Sequence, residues 1–435
     1  MAALHSAAVG RAEGKYFFRD KEPGPGNSWL GTVALTPPST PSAHPPENSR
    51  QSRPPKILTI NYKHQPGGYS RRLQMKIEAY LAQGWEVHDV AVTPYPYHHP
   101  NLIPHLLPTP MQRHDSVAFW IYFFLTAPWF VLFHGLKARV NLISVFSAPY
   151  AQIGSLLKWV RGIPLILFIN TVPNEPLYAY KGARWAQRIE ACLDQWGLWV
   201  SDMAIANSHT GLAAFRKTYV GFPEHSAVLP NHLPKVNGGP STQRASLLKE
   251  FNLPDEAFIV VTSGRLHPGK NLECLINALV PLRGSRAVAL ILGDGEQMDA
   301  LRDLSREQGV EDRVIFAGWR RDVMDLVSSS DLFVLPSFKE GMSNSLIEAM
   351  ACGVPCLVSA IPENQEVIRQ PDQQFPPDQP AALAACLRKC LEDETYYARI
   401  KQQTLQEAAR YKFDWSVQLI ETVRPWLQRA KPPTP

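Results

Sequence analysis

The sequence has little of what marks a zinc protein, a disulfide-linked protein or a nucleic-acid-binding protein. Its six cysteines form no Cys-x-x-Cys pair and lie in apolar or helix-like segments, as reduced cysteines of the cytoplasm do. The net charge of +5 is too small for its length to predict nucleic-acid binding, and no basic helix or zinc-finger spacing is present. No Asp-x-Asp motif indicates a metal, and the N-terminus lacks the charged-then-apolar order of a signal peptide. We therefore expect a cytoplasmic protein that uses no metal and binds no nucleic acid.

Length and texture predict two domains that follow a proline-rich tail. A chain of 435 residues exceeds one ordinary core. Residues 1–55 carry nine of the 39 prolines without any repeat, which predicts a disordered tail. From Lys56 onward short apolar runs alternate with helix-like stretches. The segment 228–242, rich in Pro, Gly and Asn, interrupts this alternation and is predicted to be a linker, and the alternation continues after it. This alternation predicts an α/β fold with two doubly wound domains in series, and a ligand site beyond the carboxyl ends of their strands.

One apolar stretch, 116–133, is free of charge and close to the length of a membrane span. Three interpretations stay open: a helix packed in the first domain, a helix lying on a membrane surface, or a true span. A span would interrupt the predicted sheet, and Pro128 interrupts the stretch itself. The preceding segment 94–110 has so many prolines that we predict a loop near the mouth of the cleft.

Two glutamates, Glu340 and Glu348, have seven residues between them in the string EGMSNSLIEAMACGVP. A strand-like run precedes Glu340, and a helix is predicted to begin at a cap on Ser343 or Asn344 and to end near Ala351. Helical geometry would separate the two carboxylates by roughly 12 Å, which exceeds the about 5–9.5 Å of hydrolytic carboxylate pairs. The spacing favours one long ligand held at two points, with a phosphate at the helix start between them. A nucleotide sugar has that form.

The whole string, in its strand–loop–helix context, strongly resembles the Glu-x7-Glu motif of the retaining glycosyltransferases of family 4, the glycosyl transferases group 1. A second segment, SGRLHPGKNLE, resembles the part of that family that contacts the donor diphosphate. The resemblance implies the GT-B fold, in which two Rossmann-like domains face each other across a cleft. The boundaries that we predict are a tail at 1–55, an N-terminal acceptor-side domain at 56–231, a C-terminal donor-binding domain at 232–412, and a closing helix at 413–430 that returns to the N-terminal domain.

The resemblance also implies roles for individual residues. Glu340 would hold the donor sugar and Glu348 the ribose, while Arg265 and Lys270 would neutralise the leaving diphosphate. The candidate catalytic residues are therefore Glu340, Arg265 and Lys270. The further candidate substrate-binding residues are Gly341, Met342, Ser343, Asn344 and Ser345 of the motif, Gly67 and Gly68 of a glycine loop after the first strand, Asn170, Gly293 of the GDGE turn, and Phe316 in a segment that resembles the family's base-side loop.

Two positions depart from the family pattern. Asn170 stands where many relatives have a histidine that faces the reacting sugar, and an amide cannot accept a proton at neutral pH. Pro230, Asn231 and His232 stand in place of the family's Pro-Asn-Gly. Weakened catalysis and a different acceptor are both compatible with Asn170.

The function implied by the resemblance is transfer of a sugar, with retained configuration, from a UDP- or GDP-sugar to a glycan or lipid-linked acceptor in polysaccharide or glycolipid synthesis. The nucleotide sugar is a substrate, and no cofactor is expected. The segment 116–133 is a candidate for contact with the inner face of a membrane. An epimerase or phosphorylase on the same fold and a non-catalytic binding protein are the alternatives.

Overall fold

The computed structural model describes residues 54–61, 68–111, 116–171, 173, 184–236 and 240–429. Except for its last two residues, the predicted tail 1–55 lies outside the described residues, and so does Gly67.

The first half of the chain forms a seven-stranded parallel sheet with helices between its strands. In chain order its elements are β1 (Lys56–Ile60), α1 (Gly68–Ala82), β2 (Glu86–Ala91), β3 (Leu102–Leu106), α2 (Val117–Ala138), β4 (Leu142–Phe146), α3 (Ala148–Arg161), β5 (Leu165–Ile169), α4 (Arg184–Val200), β6 (Met203–Ala206), α5 (His209–Thr218) and β7 (His225–Val228). The order across the sheet is β3-β2-β1-β4-β5-β6-β7. The central strands β4 and β5 are buried along their whole length because helices cover both faces.

The second half repeats this architecture with a six-stranded parallel sheet. Its elements are α6 (Pro240–Glu250), β8 (Phe258–Ser263), α7 (Leu272–Leu279), β9 (Ala287–Leu292), α8 (Met298–Glu307), β10 (Val314–Gly318), α9 (Val323–Ser328), β11 (Leu332–Leu335), α10 (Asn344–Ala351), β12 (Cys356–Ser359), α11 (Pro362–Val367), β13 (Gln374–Phe375), α12 (Pro380–Glu392) and α13 (Glu394–Ala409). The order across the sheet is β10-β9-β8-β11-β12-β13. The predicted pair of doubly wound sheets is confirmed.

In each sheet the strand order reverses beside the first strand. The reversal lies between β1 and β4 in one sheet and between β8 and β11 in the other. In open parallel sheets this reversal leaves a crevice beyond the carboxyl ends of the strands. The chain leaves β8 toward Arg265 and leaves β11 toward Glu340, so the second crevice receives two of the candidate residues.

The last helix, α14 (Trp415–Arg429), packs on the first sheet's side of the molecule although it follows the second sheet in sequence. Its buried side chains Trp415, Leu419 and Val423 share an apolar core with Leu73 and Ile77 of α1. Burial of these side chains links the end of the chain to its beginning.

Helix α2 contains the charge-free stretch and buries only one of its faces. Phe119, Phe123 and Val131 are fully buried in the core beside the first sheet. Among the described residues, Ala118–Ala138 is the helix that is long and apolar enough to cross a membrane by length and composition. A helix cannot span a bilayer while this face packs against the sheet, so the packed and membrane-surface interpretations are the two that agree with the fold.

The predicted loop at 94–110 is wrong in its second half, because Leu102–Leu106 form strand β3. This strand lies at the edge of the sheet and, among the described strands, pairs only with β2, with Pro104 opposite Asp89. A proline lacks the N–H that a central strand needs, but an edge strand has one side without a partner. The number of prolines therefore predicted a loop where an edge position allows a strand.

Candidate active site in the interdomain cleft

The centre of the site is an ion pair between two of the candidate catalytic residues. Glu340 lies in the loop after β11, and its Oε1 accepts a hydrogen bond of 2.6 Å from Lys270 Nζ. The hydroxyl of Ser337 donates to the same oxygen at 2.6 Å. Both charged side chains are largely buried, at 16% exposure for Lys270 and 11% for Glu340. A short, largely buried and charge-assisted contact of this kind fixes both groups in place.

Helix α10 begins as the sequence predicts, with Ser343 as its N-cap and Ala351 as its last residue. The Ser343 hydroxyl accepts from the Leu346 amide and contacts the Ser345 hydroxyl at 3.0 Å. The first turn of α10 therefore lies between the two glutamates. The positive end of the helix is directed toward the loop that carries Glu340.

The linker residue Asn231 holds the start of this helix. Its side-chain amide donates to the Met342 carbonyl at 3.0 Å and to Asn344 Oδ1 at 2.6 Å. Asn231 and Met342 are both buried. The segment that carries the motif is therefore positioned from outside its own domain core.

Glu348 lies in the second turn of α10, where its carboxylate accepts from Arg71 Nη1 at 2.9 Å. Arg71 belongs to α1, so this bond joins the two halves of the chain. Burial raises the pKa of Glu348, and the neighbouring Arg71 guanidinium opposes that rise. Both glutamates of the motif thus have a cation as their partner in this structure.

Arg265 does not join the Lys270–Glu340 pair. Its guanidinium contacts Glu296 at 3.2 Å, and both side chains are about half exposed or more. Such exposed pairs contribute little, so Arg265 can turn toward a ligand at low cost.

Gly293 and Phe316 follow different patterns. Gly293 directly follows β9 with a φ of +135°, and a Cβ there would overlap the carbonyl oxygen of Gly264. Phe316, predicted in a base-side loop, instead lies within strand β10. Its ring packs against the second domain's core and beneath the guanidinium of Arg302. The apolar run that contains Phe316 is thus a strand, and the resemblance of this segment to a base-side loop does not hold for Phe316 itself.

Across the cleft, Asn170 directly follows β5 and faces the motif. A Cβ on Gly341 would overlap the Asn170 carbonyl oxygen, so the two domains touch at this point. Lys339 Nζ also donates to the Pro173 carbonyl at 2.8 Å. Gly341 is thus required for a close approach between domains.

Gly68, of the predicted glycine loop, is the first residue of α1. It follows Gly67, which lies outside the described residues.

A second contact between the domains lies at the start of α5. The Glu366 carboxylate accepts from the backbone amides of His209 and Thr210, at 2.8 Å each. A carboxylate at a helix start is stabilised by the free amides and by the helix dipole. The domains are therefore closed on each other in this structure.

Sequence reasoning missed three residues that hold the two glutamates and the helix start: Ser337, Arg71 and Asn231. Ser337 lies three residues before Glu340, directly ahead of the motif, and could have been found from that spacing. Arg71 lies 277 residues from Glu348, so only the fold shows that they meet. In the part of the chain that the structure describes, no group of three or more His, Cys, Asp or Glu side chains is placed to hold a metal ion.

Two family models match this chain in succession. The model described as "Glycosyl transferase 4-like domain" matches residues 67–232, and the model "Glycosyl transferases group 1" matches residues 243–408. Together they span most of the chain.

Individual proteins agree with the models. The chain is 31% identical over 251 residues to the UDP-Gal:alpha-D-GlcNAc-diphosphoundecaprenol alpha-1,3-galactosyltransferase of Escherichia coli. The aligned region covers 54% of this chain and 61% of that protein. The chain is 32% identical to the Escherichia coli serotype-specific mannosyltransferase WbdA over 40% of this chain and 22% of that one. The matches therefore span less than two thirds of these relatives. Anabaena Alr3699/HepE, solved in complex with UDP, superposes with a TM-score of 0.68 at 19% identity, over 86% of this chain and all of that one.

The two facing Rossmann-like domains define the GT-B fold. The chain belongs to the group 1 glycosyltransferases.

Proposed function

We propose that the protein transfers a hexose, with retained configuration, from a UDP- or GDP-sugar to a glycan or lipid-linked acceptor. The observation that supports this proposal most strongly is the short, largely buried Lys270–Glu340 pair beside the start of α10. A carboxylate, a cation and free helix amides lie together at the carboxyl ends of parallel strands, where a sugar diphosphate needs all three.

Each residue has a proposed part in holding the donor. Glu340 accepts hydrogen bonds from sugar hydroxyls, and Glu348 accepts from the ribose hydroxyls after exchange with Arg71. Lys270 and the first turn of α10 stabilise the charge that grows on the diphosphate as the glycosidic bond breaks. Arg265 leaves its exposed partner Glu296 to join them. Positive side chains and helix amides thus take the charge without a metal.

The proposed chemistry needs no protein base. The acceptor hydroxyl attacks the anomeric carbon from the face that the diphosphate leaves, and the leaving phosphate oxygen takes the hydroxyl proton. Asn170 is compatible with this route because it is required only to donate or accept a hydrogen bond. The closed contact between Gly341 and Asn170 would exclude water, which limits hydrolysis of the donor.

A lipid-linked acceptor is supported by the outer face of α2. Its exposed large side chains recur at helical spacing and form an apolar stripe that comprises Ile121 (57% exposed), Leu125 (67%), Trp129 (66%) and Phe133 (62%). Trp159 on α3 and Trp199 on α4 are also exposed, with their ring centroids 6.5 Å apart. Exposed apolar surfaces of this extent mark interaction sites.

The charges around this stripe suit an anionic membrane. Neither α2 nor α3 contains an aspartate or glutamate, and basic residues occupy their carboxyl ends, among them Lys137 and Arg161. Aromatic side chains with flanking cations are typical of helices that lie in the lipid interface. We propose a peripheral position on the inner face of the membrane. The galactosyltransferase relative is named for a diphosphoundecaprenol acceptor, a lipid, which agrees with this placement.

Vesicle sedimentation tests the membrane part of the proposal. Replacing both Leu125 and Trp129 by Gln should weaken binding to phosphatidylglycerol-containing vesicles at least about tenfold, because two anchors are lost. Leu405→Gln, at a site in the second domain that is 49% exposed, should change nothing. Wild-type protein that ignores the vesicles would contradict the membrane placement and leave the transferase proposal standing.

Donor binding tests the transferase proposal itself. We would measure thermal shifts and slow donor hydrolysis with UDP-, GDP- and ADP-sugars for wild type, Glu340→Ala and Arg265→Ala. A shift with one donor that both variants reduce is expected. Conversion of the donor to an isomeric nucleotide sugar without any acceptor would indicate an epimerase. Equal behaviour of all three proteins with every donor would favour the non-catalytic alternative.

A further inference from the structure

Behind Asn170, the first domain holds a buried cation without a counterion. Arg72 of α1 is only 6% exposed, and none of the described carboxylates forms an ion pair with it. Its neighbour Arg71 is paired with Glu348, whereas Arg72 has no such partner among the residues that the structure describes. A buried charge that lacks a counterion is costly, so its retention points to a charge supplied by a ligand.

Three neighbouring side chains share a surplus of hydrogen-bond donors. Arg72 Nη1 reaches Asn170 Oδ1 at 3.5 Å, and the Arg72 guanidinium lies 5.6 Å from the centre of the Trp415 ring. Arg72 Nη2, Asn170 Nδ2 and Trp415 Nε1 are each buried without a hydrogen-bond partner in the described part of the chain. Buried polar groups are nearly always paired, so three adjacent unpaired donors indicate a missing acceptor.

The charged groups around this cluster are of both signs, but none of the described carboxylates pairs with Arg72. Burial lowers the pKa of His232, the Arg72 and Arg71 guanidiniums lower it further and Asp414 opposes them, so His232 is neutral. Burial alone lowers the pKa of Arg72 to about 10, which leaves it charged at neutral pH. A sugar hydroxyl would satisfy one donor but could not balance the charge, whereas a phosphate offers both charge and several acceptor oxygens.

We propose that Arg72, Asn170 and Trp415 form a phosphate-binding subsite of the first domain, which takes a phosphoryl group of a ligand in the cleft. The proposal rests on the proposed function, since it assumes that sugar phosphates enter this cleft. The phosphoryl group belongs either to the nucleotide sugar or to a phosphate-linked acceptor. Asn170 thereby has the role of a bridge, because its amide oxygen accepts from Arg72 and its amide nitrogen donates to the ligand.

Calorimetric binding to the full chain distinguishes the two sources. The probes are UDP-glucose, a short-chain alkyl diphosphate of N-acetylglucosamine, and the matching alkyl glycoside without phosphate. Arg72→Gln should weaken one phosphate-bearing probe by about tenfold to a hundredfold, as loss of a charge-assisted hydrogen bond does, and leave the neutral glycoside unchanged. Arg72→Lys should restore part of the loss, and Lys217→Gln, an exposed cation of α5, should have no effect.

A second variant keeps the test valid if Arg72→Gln unfolds. Asn170→Asp places a carboxylate against Arg72, so it should raise the melting temperature while abolishing phosphate-dependent binding. Unchanged affinity of Arg72→Gln and Asn170→Asp for both phosphate probes, with UDP-glucose binding still dependent on Glu340, would overturn the subsite alone. Wild-type protein that binds none of these probes and none of the UDP- and GDP-sugars of the donor panel would overturn the proposed function as well.

Discussion

The Lys270–Glu340 pair makes a prediction that separates a structural role from a functional one. Because the pair is short and little exposed, removing one member leaves a largely buried charge without its partner. Breaking a buried pair typically costs 3–5 kcal/mol, and the remaining exposure of Lys270 reduces that penalty. We expect Glu340→Gln to lower the free energy of unfolding by about 2–3 kcal/mol.

Removing both charges has a different consequence. The double variant Lys270→Met/Glu340→Gln leaves no unpaired charge, so it should recover most of that stability. Its donor hydrolysis should stay at least about a hundredfold below wild type, because the hydrogen-bond acceptor for the sugar and the cation for the diphosphate are both lost.

Urea unfolding of wild type, Lys270→Met, Glu340→Gln and the double variant, beside donor hydrolysis of each, completes this cycle. Two outcomes would refute the reasoning. Additive losses of stability would mean that the two charges are not coupled. A stable double variant with wild-type hydrolysis would mean that the pair only holds the loop.

Three further predictions follow from other contacts. Gly341→Val should reduce transfer at least tenfold without lowering stability, because its side chain separates the domains at Asn170, whereas Gly284→Val, in open space, should change neither. Nucleotide affinity should fall as the pH drops through the raised pKa of Glu348, since the charged carboxylate accepts more strongly from the ribose than the protonated acid, and Glu348→Gln should remove this dependence in calorimetric titrations. Burial lowers the pKa of Lys76 to about 7, so folding stability should decline as the pH falls from 10.5 toward 7, and unfolding curves of Lys76→Met should lack that decline.

The strands and the motif helix could be predicted from sequence because their signals are local. Buried parallel strands form short apolar runs, and the cap at Ser343 is set by neighbours within a few residues. Strand β3 was not predicted, because its proline is tolerated only in an edge strand, and the topology of the sheet determines which strand lies at the edge.

The partners of the site residues depend on how distant elements pack, which no local pattern contains. Arg71 reaches Glu348 only because α1 and α10 meet across the cleft. The direction of Arg265 toward Glu296 depends on the turn after β9. Arg72 resembled any other helical arginine in sequence, and its lack of a partner became visible only in the fold.

The measurement that tests the central claim most directly is the anomeric configuration of a transferred sugar. Once a donor is identified, the protein is incubated with it and a diphosphate-linked N-acetylglucosamine acceptor, and the product is examined by proton NMR. An α-linked product from an α-configured donor, absent with Glu340→Ala, is the predicted result. A β-linked product, or transfer that survives loss of Glu340, would contradict the account.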